Sequence, residues 1–414
     1  MNWKHRSGSD WGRLGMKCEW KKVPLRNLIG FISKGISPSY TEEKSETTVN
    51  VLNQKCNRDF RINYSFSRLH DLTKKKVSPD KYIKPEDILI NSTGTGTAGR
   101  IAQINIPPCK TIVDGHMIII RTNEIVTQKY LGYALKAHQN EILSLDEGST
   151  GQTELNRERL LNEIMIDFPT SIEIQNIITM LFDSIDSKIE LNNKINENLE
   201  QQARAILAQW MTENEDNYNV CLLSDVAVIN PETYSSKDAW KYINYLDTSS
   251  ITNGIISEVQ HIDTSTEKLP SRARRIISAN DIVFSTVRPN QRHFGIIRKP
   301  LNNMIASTGF AVIRSKHPYV SNELIYLCLT ENIFVEKMQQ LAEQSTSTFP
   351  SIKPSDLGVC EIPCSNDQFL SYTLKSMFVC IDSKQRENSS LASIRNSLLP
   401  KLMSGEIDVS NIRL

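Results

Sequence analysis

Residues 83–104 read IKPEDILINSTGTGTAGRIAQI, and residues 277–297 read ISANDIVFSTVRPNQRHFGII. Each passes through Asp–Ile (Asp87 and Ile88; Asp281 and Ile282) into a β-branched run, crosses a polar loop and re-enters apolar sequence. Further blocks follow in the same order. TIVDGHMIIIRTN (111–123) is matched by MIASTGFAVIRSK (304–316), each an apolar run closed by an arginine. EGSTGQTELNRERL (147–160) is matched by EQSTSTFPSIKPSDL (343–357), and IMIDFP, ending at Pro169, by VCEIP, ending at Pro363. Helical sequence carrying IDSK closes both halves, at 185–188 and 381–384. Blocks repeated in constant order at a nearly constant offset mark a tandem duplication.

The repeat bears directly on the glycines. Gly94, Gly96 and Gly99 fall in the spacing G-x-G-x-x-G, close to a phosphate-binding loop. The second copy keeps Ser285, Thr286 and Gly295 but has no counterpart of Gly94 and Gly96, so the glycines read as turn residues rather than a requirement of the fold. A dinucleotide site needs a helix after the loop, whereas Ile101, Gln103 and Ile104 alternate as in a strand. A P-loop needs lysine where Arg100 stands and a hydroxyl residue where Ile101 stands. A nucleotide-dependent enzyme built on residues 94–99 is the alternative reading.

After each proline comes a long helical pattern. Ile174, Ile178, Leu181, Ile185, Ile195, Leu199, Ile206 and Trp210 fall mostly three or four apart, as do Leu370, Leu374, Met377, Ile381, Leu391, Leu398 and Leu402. Thr170 with Glu173, and Ser365 with Gln368, predict capping boxes; the second stripe is expected to break near Pro400 and end at Gly405. Asn192 and Asn388 lie on the stripes, where a buried amide fixes helix register at a cost in stability. The expected fold is α+β: two similar mixed α/β domains separated by two long helices paired as an antiparallel coiled coil, with a pseudo-twofold axis. Its parts are an N-terminal extension (1–15), a first domain (16–169), a first helix (170–212), a second domain (213–364) and a second helix with its tail (365–414).

Composition narrows the function. The 414 residues carry 48 Lys+Arg against 47 Asp+Glu, so any charged surface is local. No apolar run approaches the roughly 18 residues of a membrane span, and no signal peptide opens the chain, so a soluble, cytoplasmic protein is expected. The eight cysteines form no C-x-x-C pair and are read as reduced thiols without a metal site. Residues 51–84 nevertheless hold nine basic against three acidic residues, and 267–300 eight against two. One basic segment per repeat fits phosphate contacts, while polar loops fit base edges.

The candidate DNA-contacting residues are therefore Arg58, Arg61, Lys74, Lys75, Lys76, Ser92, Thr93, Thr95, Thr97 and Arg100 in the first half. In the second they are Arg272, Arg274, Arg275, Ser285, Thr286, Arg288, Asn290, Gln291, Arg292 and His293. NPETY (230–234) departs from the Asn-Pro-Pro-Tyr loop of adenine methyltransferases, and no other catalytic set is found. A recognition module that borrows its chemistry is expected, as a complex subunit or as an orphan DNA-binding scaffold.

DILINSTGTGTAGRIA, GSTGQTELNRERL, IDSKIELNNKINENLE and SLLPKLMSGEI resemble the DNA specificity subunits of type I restriction-modification enzymes, over residues 16–414. The resemblance implies a non-catalytic chain with two target recognition domains, each reading half of a bipartite site in double-stranded DNA. It also implies two methyltransferase (modification) subunits and, for cleavage, restriction/translocase subunits as partners. These would hold S-adenosylmethionine, ATP and Mg²⁺, and would methylate adenines; no cofactor is expected in this chain.

Overall fold

The computed structural model describes residues 19–58, 60–147, 153–215, 218–345, 349–364 and 367–409. The N-terminal extension, residues 148–152 of the GSTGQT stretch, residues 346–348 of its counterpart, Ser365 and the last five residues lie outside the described residues. Two compact units divide the chain: residues 1–187 with 391–414, and residues 188–390.

In the first unit an antiparallel sheet has the order β2 (Ile29–Lys34), β11 (Met117–Thr122), β8 (Ile88–Asn91), β9 (Ile101–Gln103). Alternation along the central strands decides its two faces. Ile88, Ile90, Ile118 and Ile120 enter a core shared with helix α1 (Gln128–Ala137), α3 (Arg157–Glu163) and the two long helices. Leu89, Met117 and Ile119 turn to the other side, against Leu52 and Val113. Because both faces are covered, β8 is buried at every residue and its first three, Ile88–Ile90, are apolar without alternation. The second sheet orders β10 (Thr111–Val113), β4 (Thr48–Leu52), β7 (Arg68–Asp71) and β3 (Tyr40–Thr41), with β10 and β4 parallel. Smaller pairs are β1 (Trp20–Pro24) with β14 (Met165–Pro169), β5 (Asn57–Arg58) with β6 (Arg61–Ile62), and β12 (Asp146–Glu147) with β13 (Glu154–Leu155); α2 (Gln139–Leu143) follows α1.

The second unit repeats this plan. Its antiparallel sheet orders β16 (Ala227–Ile229), β25 (Phe310–Ser315), β22 (Asp281–Ser285) and β23 (Phe294–Ile297). Ile282, Phe284, Ala311 and Ile313 face the helices, including α6 (Asn322–Leu329) and α7 (Asn332–Glu343), while Val283, Phe310 and Val312 face the second sheet. That sheet orders β20 (Gln260–Asp263), β17 (Tyr242–Leu246), β24 (Met304–Ser307) and β21 (Ala273–Ile276), with β17 and β24 parallel. The copies differ at the edges: β3 is added beside β7 in the first unit, whereas β21 is added beside β24 in the second. The remaining pairs are β15 (Asn219–Leu222) with β26 (Glu361–Cys364) and β18 (Ile251–Thr252) with β19 (Ile255–Ile256); the short helices are α5 (Leu223–Val226) and α8 (Pro354–Gly358).

Two long helices, α4 (Ile172–Glu213) and α9 (Gln368–Met403), contribute a segment each to both units. Within the second unit they run antiparallel: Lys188 meets Glu387, Asn192 donates to Asn388 at 2.9 Å, and the Trp210 indole donates to Asp367 at 2.9 Å. Asn192 is fully buried and also donates to Glu387, as the stripe pattern expects of a register-setting amide. Within the first unit Asp186 pairs with Arg395 at 2.6 Å.

The helix ends bear on three readings. Ser171, not Thr170, accepts the amide of Ile174 at the start of α4, because the Thr170 hydroxyl donates to the Glu19 carbonyl. Asp367 accepts the amides of Phe369 and Leu370 at the start of α9, two residues after Ser365, which lies outside the described residues. Nor does α9 break at Pro400. Leu399, Leu402 and Met403 are buried in the first unit's core, and that packing carries the helix through the missing N–H to Gly405, whose φ of 75° ends it.

Candidate nucleic-acid interface

Both units hold one polar loop between the last two strands of the first sheet, 92–100 after β8 and 286–293 after β22. The support beneath it is the same in each. Asp87 accepts the Lys84 amide and both Nε and Nη2 of Arg121, each at 2.7 Å; Asp281 accepts the Ser278 amide and the same two nitrogens of Arg314, at 2.7 and 2.9 Å. These are the aspartates and the run-closing arginines of the repeat, joined across the sheet. The Ser92 amide donates to the His116 carbonyl and the Leu155 amide to the Ser92 carbonyl; Thr286 stands in the same relation to Gly309 and Ile352. Gly94 donates its amide to Thr153, and Arg288 donates its own to Pro350. Residues 92 and 286, and 94 and 288, are therefore structural equivalents.

From there the loops part. In the first, Gly94, Gly96 and Gly99 all have positive φ, and a Cβ on Gly99 would lie 2.9 Å from the Ile142 carbonyl oxygen. Glycine is the residue that makes this path. The loop passes directly into β9, antiparallel to β8. The loop therefore does not lead into a helix N-terminus, the arrangement in which successive backbone amides cradle a phosphate. In the second loop the left-handed positions fall to Arg288 (φ 47°) and Arg292 (φ 57°). Gly295, read as the retained glycine, instead pairs with Val283 within β23, the place held by Ala102 opposite Leu89.

A helix buttresses each loop through a side-chain amide. Gln139 of α2 donates to the Gly99 carbonyl and accepts from the Ile101 amide; Gln339 of α7 accepts from the Asn290 amide.

The candidate residues separate into two groups. Ser92, Ser285 and Thr286 are buried, with hydroxyls donating to the carbonyls of Gly115, Val287 and Gly309, so they hold the loop rather than face outward. Thr93 bonds His116, Arg292 donates to Asn332 at 2.7 Å, and His293 bonds the Ile251 carbonyl and Thr252. Thr97 is half-buried beside Gly94, and Arg100 is half-buried with a bond to the Gly96 carbonyl. Arg275 is half-buried on β21, its Nη1 on Thr233 and its Nε without an acceptor among the described residues. Exposed are Arg58, Arg61, Lys74, Lys75, Lys76 and Thr95, and Arg272, Arg274, Arg288, Asn290 and Gln291. Some are partly engaged: Arg58 over Phe66, Arg61 on the Asp186 carbonyl, Lys74 near Asp71 and Lys75 on the Ser37 carbonyl. Arg288 lies over the ring of Phe349, 5.0 Å from its centroid.

Beside each loop stands a small hairpin that the sequence reading missed. In the second unit Asn253 and Gly254 both have positive φ, the Asn-Gly turn that joins two short strands, and their amides donate to the carbonyls of Arg292 and Phe294. The Asn-Gly dipeptide between Ile251 and Ile256 was the available signal. In the first unit the counterpart, β5 with β6, carries Arg58 and Arg61 where the second carries Thr252 and Ile255.

With this geometry in hand, residues 18–201 match the family described as the type I restriction modification DNA specificity domain. That stretch is similar to type I DNA specificity domains. Over 116 residues the chain is 29% identical to the type I restriction enzyme HindI specificity subunit of Haemophilus influenzae, a match spanning 28% of this chain and a quarter (25%) of that relative's length. The fold extends further than the sequence match. The S subunit of the type I restriction-modification system of M. genitalium superimposes with a TM-score of 0.56 at 16% identity, covering 94% of this chain and 98% of that one. The match covers the first copy of the duplication and part of α4, and the fold similarity to the S subunit covers 94% of the chain. No described helix is long and apolar enough to cross a membrane.

Proposed function

We propose that this chain is the sequence-reading subunit of a type I restriction-modification complex, each unit recognising one half of a bipartite site in double-stranded DNA. One observation carries this reading: the same buried support is built twice, and it presents two loops of different length and chemistry. A duplicated scaffold with diverged tips suits two unlike half-sites better than it suits one active centre. Phosphate contacts fall to the exposed basic residues Arg58, Arg61, Lys74, Lys75 and Lys76, and to Arg272 and Arg274. Base contacts fall to Thr95 and Arg100 in the first unit and to Arg288, Asn290 and Gln291 in the second. Ser92, Ser285 and Thr286 leave the contact set because their hydroxyls are buried.

In this reading the chain itself is non-catalytic. Two methyltransferase subunits hold S-adenosylmethionine and modify adenines, while restriction/translocase subunits use ATP and Mg²⁺. An electrophoretic shift with methyltransferase subunits present tests it. The expected result is preference for one bipartite sequence over scrambled duplex, with affinity falling steeply as salt rises. Equal binding to all duplexes, or affinity indifferent to salt, would overturn it.

A further inference from the structure

The two left-handed arginines of the second loop differ in one respect. The Arg292 guanidinium is tied to Asn332 at 2.7 Å, so its side chain has a structural task. Arg288 has none of that kind: among the described residues its guanidinium meets no protein acceptor and lies only over the exposed ring of Phe349. Its backbone is nevertheless strongly held. The Arg288 amide donates to Pro350, its carbonyl accepts from Gln291, Val287 bridges to Ser351, and the Ile352 amide donates to Thr286. A non-glycine residue at φ 47° is strained, and such strain persists where the surroundings over-determine it, commonly at ligand-contacting positions. The first copy supplies the control. Its equivalent residue is Gly94, so the support accepts glycine there, and the second copy carries the strain together with an arginine.

We propose that Arg288 and Phe349 form one reading unit for a guanine in the half-site of the second domain. The ring fixes the plane of the guanidinium, and the hydrogen-bonded loop fixes where it starts. The free edge keeps parallel N–H donors for the O6 and N7 acceptors of guanine, the pairing that arginine geometry favours in the major groove. Phe349 is thus a specificity-determining residue that acts through Arg288. Gly94 gives the first domain no such reader, so its half-site is read without one at this position.

This rests on the proposed DNA-reading function, and the test separates the two. The chain, co-expressed with its methyltransferase subunits in cells lacking adenine methylation, is assayed by sequencing the methylated adenines. The wild type is expected to give a bipartite motif with a fixed guanine in one half. Arg288→Ala and Arg288→Gly relax that position by about 5- to 150-fold and leave the other half unchanged. Phe349→Ala relaxes the same position by about twofold to fivefold. Arg288→Gly is also expected to melt no lower than the wild type, because glycine relieves the left-handed strain, which separates a lost reader from a lost fold. An unchanged motif in Arg288→Ala and Arg288→Gly, relaxation at a different position for Phe349→Ala, or uniform weakening at all positions overturns the proposal while leaving the general function standing. Absence of any bipartite motif from the wild type overturns both.

Discussion

The 92–100 and 286–293 loops leave equivalent sheets at equivalent residues, through matching bonds to a neighbouring strand, and then use opposite means to turn. One relies on three glycines and presents small hydroxyls; the other forces arginine into left-handed backbone and presents long donors. The flanking hairpins diverge likewise, with arginines in one unit and threonine and isoleucine in the other. Beneath them the Asp–Arg pairs are nearly superimposable in their bonding. The contrast separates what the fold requires from what the target selects: buried ionic support is shared, and solvent-facing chemistry is not.

The sharpest way to break that comparison is to attack the shared part. Asp87→Asn leaves the mostly covered Arg121 without a carboxylate partner and should cost the first unit about 3 kcal/mol, whereas Asp281→Asn leaves the half-buried Arg314 still paired with Glu232 at 2.8 Å and should cost the second unit less, about 1–2 kcal/mol. Hydrogen exchange resolved by peptide should show each loss confined to one unit; a silent substitution in either would mean the supports are not equivalent. Gly99→Ala comes next, with an expected cost of at least about 1–2 kcal/mol to the first unit from the positive φ, and with the Ile142 carbonyl in the way. Thermal unfolding that does not change would show that the first loop could have done without glycine, as the second does.

Smaller effects sharpen the difference in surface chemistry. Replacing Arg58 and Arg61 by alanine should flatten the slope of log affinity against log salt by about one unit per lost phosphate contact, while Ile255→Ala in the matching hairpin leaves it unchanged. Equal slopes in all three would place the first hairpin away from the backbone. The least effect concerns Lys136 on α1. Burial lowers the Lys136 ammonium to about 8, against the pull of Asp186 at 3.6 Å. The folded state holds this proton more weakly than the unfolded chain, so the destabilisation is fully present below about pH 8. Stability gained from this group should rise between about pH 8 and the ordinary lysine value of 10.5. The melting temperature of wild type minus that of Lys136→Met should increase over this window; a flat difference would remove Lys136 as a titrating group of the first unit.

Much of this architecture was legible because duplication prints itself in order and spacing. Asp87 and Asp281, Arg121 and Arg314, and both long helices could be marked from the chain alone, and the glycines could be assigned to a turn by comparing copies. Side-chain direction was not legible. Ser92, Ser285 and Thr286 look like the hydroxyls of a polar loop, yet they sit on the last strand residue or just beyond it, where the sheet still buries them. That β21 takes the opposite edge from β3 was not legible either, because a two-residue strand and a four-residue strand give no period to compare. Phe349 is a lone aromatic in a polar stretch, and only the backbone path brings it under Arg288. Pro400 misled for the usual reason: a local preference was outweighed by Leu399, Leu402 and Met403 in the core.

The first unit draws part of its core from Leu399, Leu402, Met403 and Val409, which lie near the end of the chain. A polypeptide leaving the ribosome would therefore expose residues 19–187 long before their last packing partners exist, while residues 188–390 have their full complement sooner. The half that is made first is the half that finishes last.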